Sequence, residues 1–554
     1  MNKTIIYTAK NIITMSPDQP RATAVAVRDG RVLAVGRLDD IIYWLKKSPF
    51  LPYEVETIFA DKILMPGLVD AHTHLASLAL EYAQTFIAQV PWPGPDGGFF
   101  PTYGDKSAVL ARLREMDARL PEGEVLWGVH YDDNQVGSPL TRADLDSVSA
   151  TRPILVSNMV FHRFWVNSAM LRKAGIEKGG RLPGVCYAAD GEPDGTLIEG
   201  RGLAHVLPVC PQLMQLTGEK IRHVLPLFTN QGVTTICEAA FGGFCGFEQE
   251  REVLTAAVAD APLRIKALPF YHGKVPGAAS FAEKAAYFRS LVPTDKVRFG
   301  AVKLYCDGSI ISHTAPLDWP GYWDGTPNAV MQHSREEIFE AIIGFHKLGL
   351  QTMTHTNSNL ACGIVLDAVE EAQAQCCRPD IRHRMEHCYG ITPEQLRRAK
   401  ALGVAVQFFT PQIWYYGNDH LTLQGPDRAH RLVPTGTAER LGVSWGVHCD
   451  PPGTPQLPWV AIWATVNRLT QSGMVLGPSQ RVPLDAALRA FTTEHAWQLH
   501  MEEETGSIEL GKKADFCVLE EDPYALPVME LRHMPVWGTV FEGVPVPAST
   551  RATA

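Results

Sequence analysis

Asp70, His72 and His74 recur with a period of two inside the run LMPGLVDAHTHLA, Leu64 to Ala76. Read as a strand, alternate side chains share a face, so two imidazoles there reach one metal ion. The apolar residues ahead of them suit a buried parallel strand, and Pro66-Gly67 does not suit a helix interior. Chance HxH pairs are common, so the motif draws its meaning from residues further on. Lys303 lies in VRFGAVKLYCDG, His355 in LQTMTHTN, His387 in IRHRMEHC and Asp450 ends GVSWGVHCD. Histidine nitrogen and carboxylate oxygen are the donors that zinc and similar first-row ions take. Each residue also has an ordinary reading. A lone histidine is usually just hydrogen-bonded, Asp450 before Pro451-Pro452 suits a turn cap, and Lys303 suits a buried ion pair.

The elements that must position these groups decide between the two readings. Eight candidate strands run over 64–72, 232–239, 263–271, 297–308, 350–357, 381–388, 403–408 and 442–450, with helical patterns at 334–349, 363–376 and 392–403. Strand, helix, strand repeated eight times is the pattern of a (β/α)8 TIM barrel, which gathers its C-terminal strand ends around one opening. The metal-capable residues fall toward five of those ends, and an incidental reading then needs five coincidences.

Both chain ends read as short strands with turns at Asp29-Gly30 and Glu542-Gly543, and neither has the apolar residues for its own core. They are therefore expected to pair as one small composite β-domain, 1–62 plus 505–554, around a barrel domain at 63–504. About 160 residues separate the first two barrel strands, so an insertion subdomain is expected at about 80–225, on the face where loops set substrate choice.

The chain has 554 residues, 61.0 kDa, and a formal charge of −10 with pI near 6.0. With no basic stretch to offset that charge, nucleic acid is not an expected partner. No apolar run approaches the roughly 20 residues of a membrane span, and the first fifteen residues lack a signal peptide's apolar core. Eleven cysteines without a CxxC pair read as reduced thiols, so a cytoplasmic protein is expected.

With these motifs in view, the chain resembles the amidohydrolase superfamily, and within it the YtcJ-like branch that includes N-substituted formamide deformylases. The resemblance runs through RATAVAVRDGRVLAVG, PGLVDAHTH, TRADLDSVSATRPILV, HRFWVNSAML, VKLYCDGSI, RMEHC and GSIELGKKADF. It implies a binuclear metal barrel carrying a small β-sandwich built from both chain ends. By motif, His72, His74 and Asp450 would hold one divalent ion, Zn2+ by analogy, and His355 and His387 a second. Lys303, carboxylated by CO2, would bridge them. Such a lysine reacts only as the neutral amine, so burial must lower its pKa. The anionic product offsets repulsion between cations about 3.5–4 Å apart. The implied chemistry is hydrolysis of a small-molecule amide-like C–N bond by a metal-bridging hydroxide, with Asp450 as the catalytic proton carrier. A homodimer is also implied.

The pattern departs from the relatives at THTNSN after His355, where they have Ala-Ile-Gly-Asp, and at GVHCD, where they have Gly-Ser-Asp. Two residues before Asp450, His448 shares its inward face, to touch metal or substrate or to pack lower in the barrel. His162 matches a histidine recurrent in this branch and is a candidate donor to a substrate carbonyl. Asp307, Ser309 and Tyr131-Asp132 are candidates for the pocket rim, and PWPG, GGFFPTY, DWPGYW and IWYYG suggest an apolar pocket that binds rings. Two other classes compete: a mononuclear deaminase of an aminated heterocycle and a non-catalytic scaffold. A deaminase wants a glutamate beside the third histidine, and strand alternation turns Glu386 away from His387.

Overall fold

The computed structural model describes residues 3–47 and 51–549. Residues 1–2 and 550–554, at the tips of the expected composite domain, and 48–50 within it lie outside the described residues. The chain is mixed α/β. No described helix is long and apolar enough to cross a membrane.

Strands from the two chain ends share one eight-stranded sheet. Its order is Val544–Pro547, Val536–Phe541, Phe516–Leu519, Ile63–Pro66, Thr4–Ile13, Arg21–Arg28 and Arg31–Gly36, with Tyr53–Glu56 parallel to Thr4–Ile13. The turn residues Asp29, Gly30, Glu542 and Gly543 all have positive φ, as a tight hairpin with the strands' own twist demands. The two turns lie against each other: a Cβ on Gly30 would stand 3.2 Å from that of Glu542.

Eight further strands run parallel: β1 (Leu68–Thr73), β2 (Val233–Phe241), β3 (Arg264–Pro269), β4 (Val302–Tyr305), β5 (Thr352–Thr356), β6 (Arg384–His387), β7 (Ala405–Phe408) and β8 (Trp445–Val447). β1 to β3, with Val297–Phe299 beside β3, form one sheet, and β4 to β8 form another in sequence order. The sheets meet at the Phe270–Lys303 bridge, where the Tyr271 N–H donates to the Lys303 carbonyl at 3.0 Å. At the other seam no ladder joins β8 to β1 among the described residues. There the His74 N–H donates to the Pro451 carbonyl, also at 3.0 Å. Val69, Ala71, Cys237, Leu268, Met353 and Met501 form one small buried cluster, so the two sheets face each other across it. Outside them, helices such as Arg335–Lys347 bury one stripe (Ile338, Ala341, Ile342, Phe345) against the main core.

Two of the expected strands are each two strands. The run 64–72 breaks at Gly67, leaving Ile63–Pro66 in the sheet of the chain ends and β1 in the parallel sheet. A Cβ on Gly67 would lie 2.0 Å from Thr234 Oγ1, so the crossing between sheets has room only for glycine. The run 297–308 breaks at Gly300, over which the Lys266 side chain passes; a Cβ there would be 2.2 Å from Lys266 Cε. Between β1 and β2 the chain builds a six-stranded sheet, ordered Val185–Tyr187, Pro193–Ile198, Arg163–Val166, Ile154–Asn158, Leu126–Tyr131 and Thr85–Phe86.

Candidate metal centre

β1 delivers His72 and His74, and the turn after β8 delivers Asp450. Asp450 Oδ1 stands 3.4 Å from Nε2 of each histidine, and one ligand atom from each of the three residues falls within 4.8 Å of the others. A second such group joins His72 to His387 and His448. Lys303 Nζ, from β4, lies 3.3 Å from His72 Nε2. The strand ends reach this geometry with unusual backbone: His387, Cys388 and Asp450 have φ of 69°, 46° and 55°. Left-handed residues without a glycine's freedom concentrate where a site constrains the chain.

Hydrogen bonds fix which ring nitrogen faces inward. His72 Nδ1 meets Glu386 Oε2 at 2.5 Å, leaving Nε2 for the centre. His387 Nδ1 meets His448 Nε2 at 3.1 Å and lies 3.7 Å from Asp450 Oδ2. Glu386 is in turn held by Arg384, Nε to Oε1 at 2.9 Å, and both are buried. This corrects the expectation that Glu386 turns away. Because φ is positive at His387, strand alternation ends there, and neighbours of opposite nominal faces both point inward.

Burial, reinforced by neighbouring positive charge, pushes the pKa values of His72, His355, His387 and His448 well below the ordinary imidazole range. These rings are therefore neutral, the form that ligates. Burial also lowers the Lys303 pKa. The donors suit a divalent first-row cation: Asp450 Oδ1, which faces Nε2 of both His72 and His74, is buried with no hydrogen-bond partner among the described residues.

His355 stands beside this cluster, its ring centroid 4.5 Å from that of His387, but its Nε2 is engaged by the Asn357 amide at 3.0 Å. Asp307 is fully buried, and its oxygens accept the N–H groups of Asn357 and Ser358 at 2.8 and 2.7 Å. It thus anchors the turn after β5 rather than offering a free oxygen at a rim. Burial, eased by those bonds, still raises its pKa to about 7. Ser309 is likewise buried and tied to Thr314, and Tyr131 donates to the Ser138 carbonyl.

His162 comes from the insertion and lies 5.9 Å from His355, ring to ring. Its Nδ1 meets Glu199 Oε1 at 2.9 Å and the Tyr305 hydroxyl at 3.1 Å. Burial opposes protonation, but the Glu199 charge and hydrogen bond outweigh it and raise the His162 pKa. Neither Glu199 nor Tyr305 stood out in the sequence; an acid closing the apolar run TLIE is the one signal for Glu199. A separate surface groove of about 620 Å³, lined by Asn11, Arg21, Asp40 and Trp44 among others, belongs to the sheet of the chain ends and contains no histidine.

Residues 60–547 match the model of the amidohydrolase family. The chain belongs to that family of hydrolases. It is 26% identical over 549 residues to YtcJ of Bacillus subtilis (strain 168), covering 96% of this chain and 97% of that one. It is 25% identical over 562 residues to an N-substituted formamide deformylase of Arthrobacter pascens, covering 96% of each. In fold it is similar to an uncharacterized metal-dependent hydrolase from Pyrococcus horikoshii OT3, with a TM-score of 0.71 at 19% identity over 95% of this chain and 99% of that one.

Proposed function

We propose that this chain is a metal-dependent hydrolase of an amide-like C–N bond in a small molecule, its eight parallel strands acting as a (β/α)8 barrel with the reaction at their C-terminal ends. The observation that carries the reading is the convergence of His72 and His74 with Asp450 at 3.4 Å, with Asp450 Oδ1 buried and without a hydrogen-bond partner among the described residues. His72, His74 and Asp450 would hold one divalent ion, Zn2+ by donor type. His387 and His355, after its ring leaves Asn357, would hold a second, with Lys303 as a carboxylated bridge. Bound there, divalent metal supplies a water acidified toward neutrality and a Lewis acid for the carbonyl.

The protein's own groups do the rest. Asp450 has a second oxygen, Oδ2, 3.7 Å from His387 Nδ1, which receives the water's proton and returns it to the departing nitrogen. His162 donates Nδ1–H to Glu199, which favours its protonated form, and as the imidazolium it also has an Nε2–H to donate to the substrate carbonyl. Glu386 and His448 orient His72 and His387, and Asp307 positions the turn that carries Asn357. The formamide deformylase relative supports N-substituted formamides as substrates, and aryl or alkyl amides share the same kind of C–N bond. The deaminase reading needs a glutamate free to shuttle protons, and Glu386 is committed to His72 and Arg384.

The test is a panel of formamides, aryl and alkyl amides and carbamates offered to the zinc-loaded enzyme, with Asp450→Asn alongside. The variant is expected to keep much of its metal and lose about two or more orders of magnitude in kcat. Near-normal turnover in Asp450→Asn removes it from the proton-carrier role, and activity after exhaustive chelation removes the metal reading.

A further inference from the structure

The approach of His448 Nε2 to His387 Nδ1, at 3.1 Å, would by itself only steer the His387 ring. A third imidazole gives it another meaning. His72 commits Nδ1 to Glu386, and one ligand atom from each of His72, His387 and His448 lies within 4.8 Å of the others. All three residues are buried. Zinc–nitrogen bonds of about 2.0–2.1 Å at a tetrahedral angle set two ligand nitrogens about 3.3–3.4 Å apart. The 3.1 Å between His387 and His448 is within a few tenths of an ångström of that spacing, so small ring movements admit an ion.

The His448 ring is also held in one plane, stacked on His72 at 4.8 Å and 24° and on Phe409 at 5.2 Å and 28°. A ligand fixed in advance loses little freedom when metal arrives. His355 is placed differently. Its Nε2 is engaged by the Asn357 amide at 3.0 Å and lies 3.2 Å from the Gly308 carbonyl, so it must turn before it can ligate. His448 needs no such movement. It belongs to the run GVHCD, where the chain departs from its relatives, and so lies outside the donor set that the resemblance implies.

We propose that His448 is itself a metal ligand, completing with His72 and His387 a three-imidazole site for a divalent first-row cation. The inference rests on the metal-dependent reading of this centre, yet metal binding tests it without turnover. Two variants of the full chain separate ligation from steering. His448→Phe keeps a ring to stack on Phe409 and removes both nitrogens, whereas His448→Gln keeps an amide N–H for His387 but no imidazole. Affinity for Zn2+ and Co2+, from competition against chelators, should fall about tenfold or more in both. At saturating Co2+, proton NMR of the wild type should show a His448 ring N–H shifted by the paramagnetic ion and absent from both variants. Burial of the ring keeps that proton from rapid exchange with water. Affinity close to wild type in His448→Gln overturns ligation, and so do shifted N–H signals that neither substitution changes; His448 is then a positioning residue. Either of those results in a protein that hydrolyses amides leaves the hydrolase reading standing. Ligation upheld in a protein that hydrolyses no amide removes the amide reading alone, and a wild type that binds neither metal removes both.

Discussion

Glu386→Gln separates a metal-orienting carboxylate from a merely structural one. Glu386 touches His72 Nδ1 at 2.5 Å and Arg384 at 2.9 and 3.1 Å, with no solvent exposure. Removing the carboxylate that orients a ligating histidine costs about 10–100-fold in metal affinity or activity, or about 1.4–2.7 kcal/mol. The same change leaves the Arg384 guanidinium buried without its counter-charge, its remaining partner being the Ala71 carbonyl at 2.8 Å. Breaking a buried pair on one side costs about 3–5 kcal/mol of stability. Glu386→Gln is therefore expected to lose both metal affinity and resistance to denaturant. A second change, Arg384→Met, removes the stranded charge at similar length. The double variant should recover stability but not metal affinity. Competition against chelators of graded strength, with metal content read by mass spectrometry, measures the first quantity, and urea unfolding measures the second. Metal affinity within about twofold of wild type in Glu386→Gln would refute the orienting role. Recovery of affinity in the double variant would show that Glu386 acts only through Arg384.

Lys303 should carry a CO2-derived carboxylate, visible as a mass increment in native spectrometry or as planar density on Nζ, and Lys303→Ala should lose about one metal equivalent; a bare amine at a fully loaded pair of ions refutes the bridge. His162 has its pKa raised in the fold through Glu199, so their pairing stabilises fully below the unfolded value near 6.5 and fades as pH rises through the folded one. The stability gap between wild type and His162→Gln, from urea unfolding, should accordingly be larger at pH 6 than at pH 9, and a gap that widens with pH contradicts the pairing. Gly67→Ala drives a methyl to within 2.0 Å of Thr234 Oγ1 and is expected to cost about 1–3 kcal/mol. An unfolding midpoint equal to that of wild type would show that the crossing between the sheets yields freely.

The parallel strands and the histidines they carry were legible because apolar runs ending in polar donors persist whatever their neighbours do. His72, His74 and Asp450 come together from such local patterns plus one topological rule. Strand ends were less legible. The expected run 64–72 hides a change of sheet at Gly67, and 297–308 hides another at Gly300, because only the side chains crossing above those glycines, Thr234 and Lys266, make the break necessary.

Residue types and spacing by themselves pointed to the kind of chemistry this protein supports, since imidazole, amine and carboxylate groups at the ends of several expected strands are properties of the chain. Tertiary structure alone decided which atoms face the centre. Glu386 and His387 are neighbours whose nominal faces oppose each other, and a φ of 69° at His387 turns both inward. His162, Glu199 and Tyr305 meet from three separate elements. Contacts of that kind depend on where whole elements pack, and no local periodicity encodes the distance between residues hundreds of positions apart.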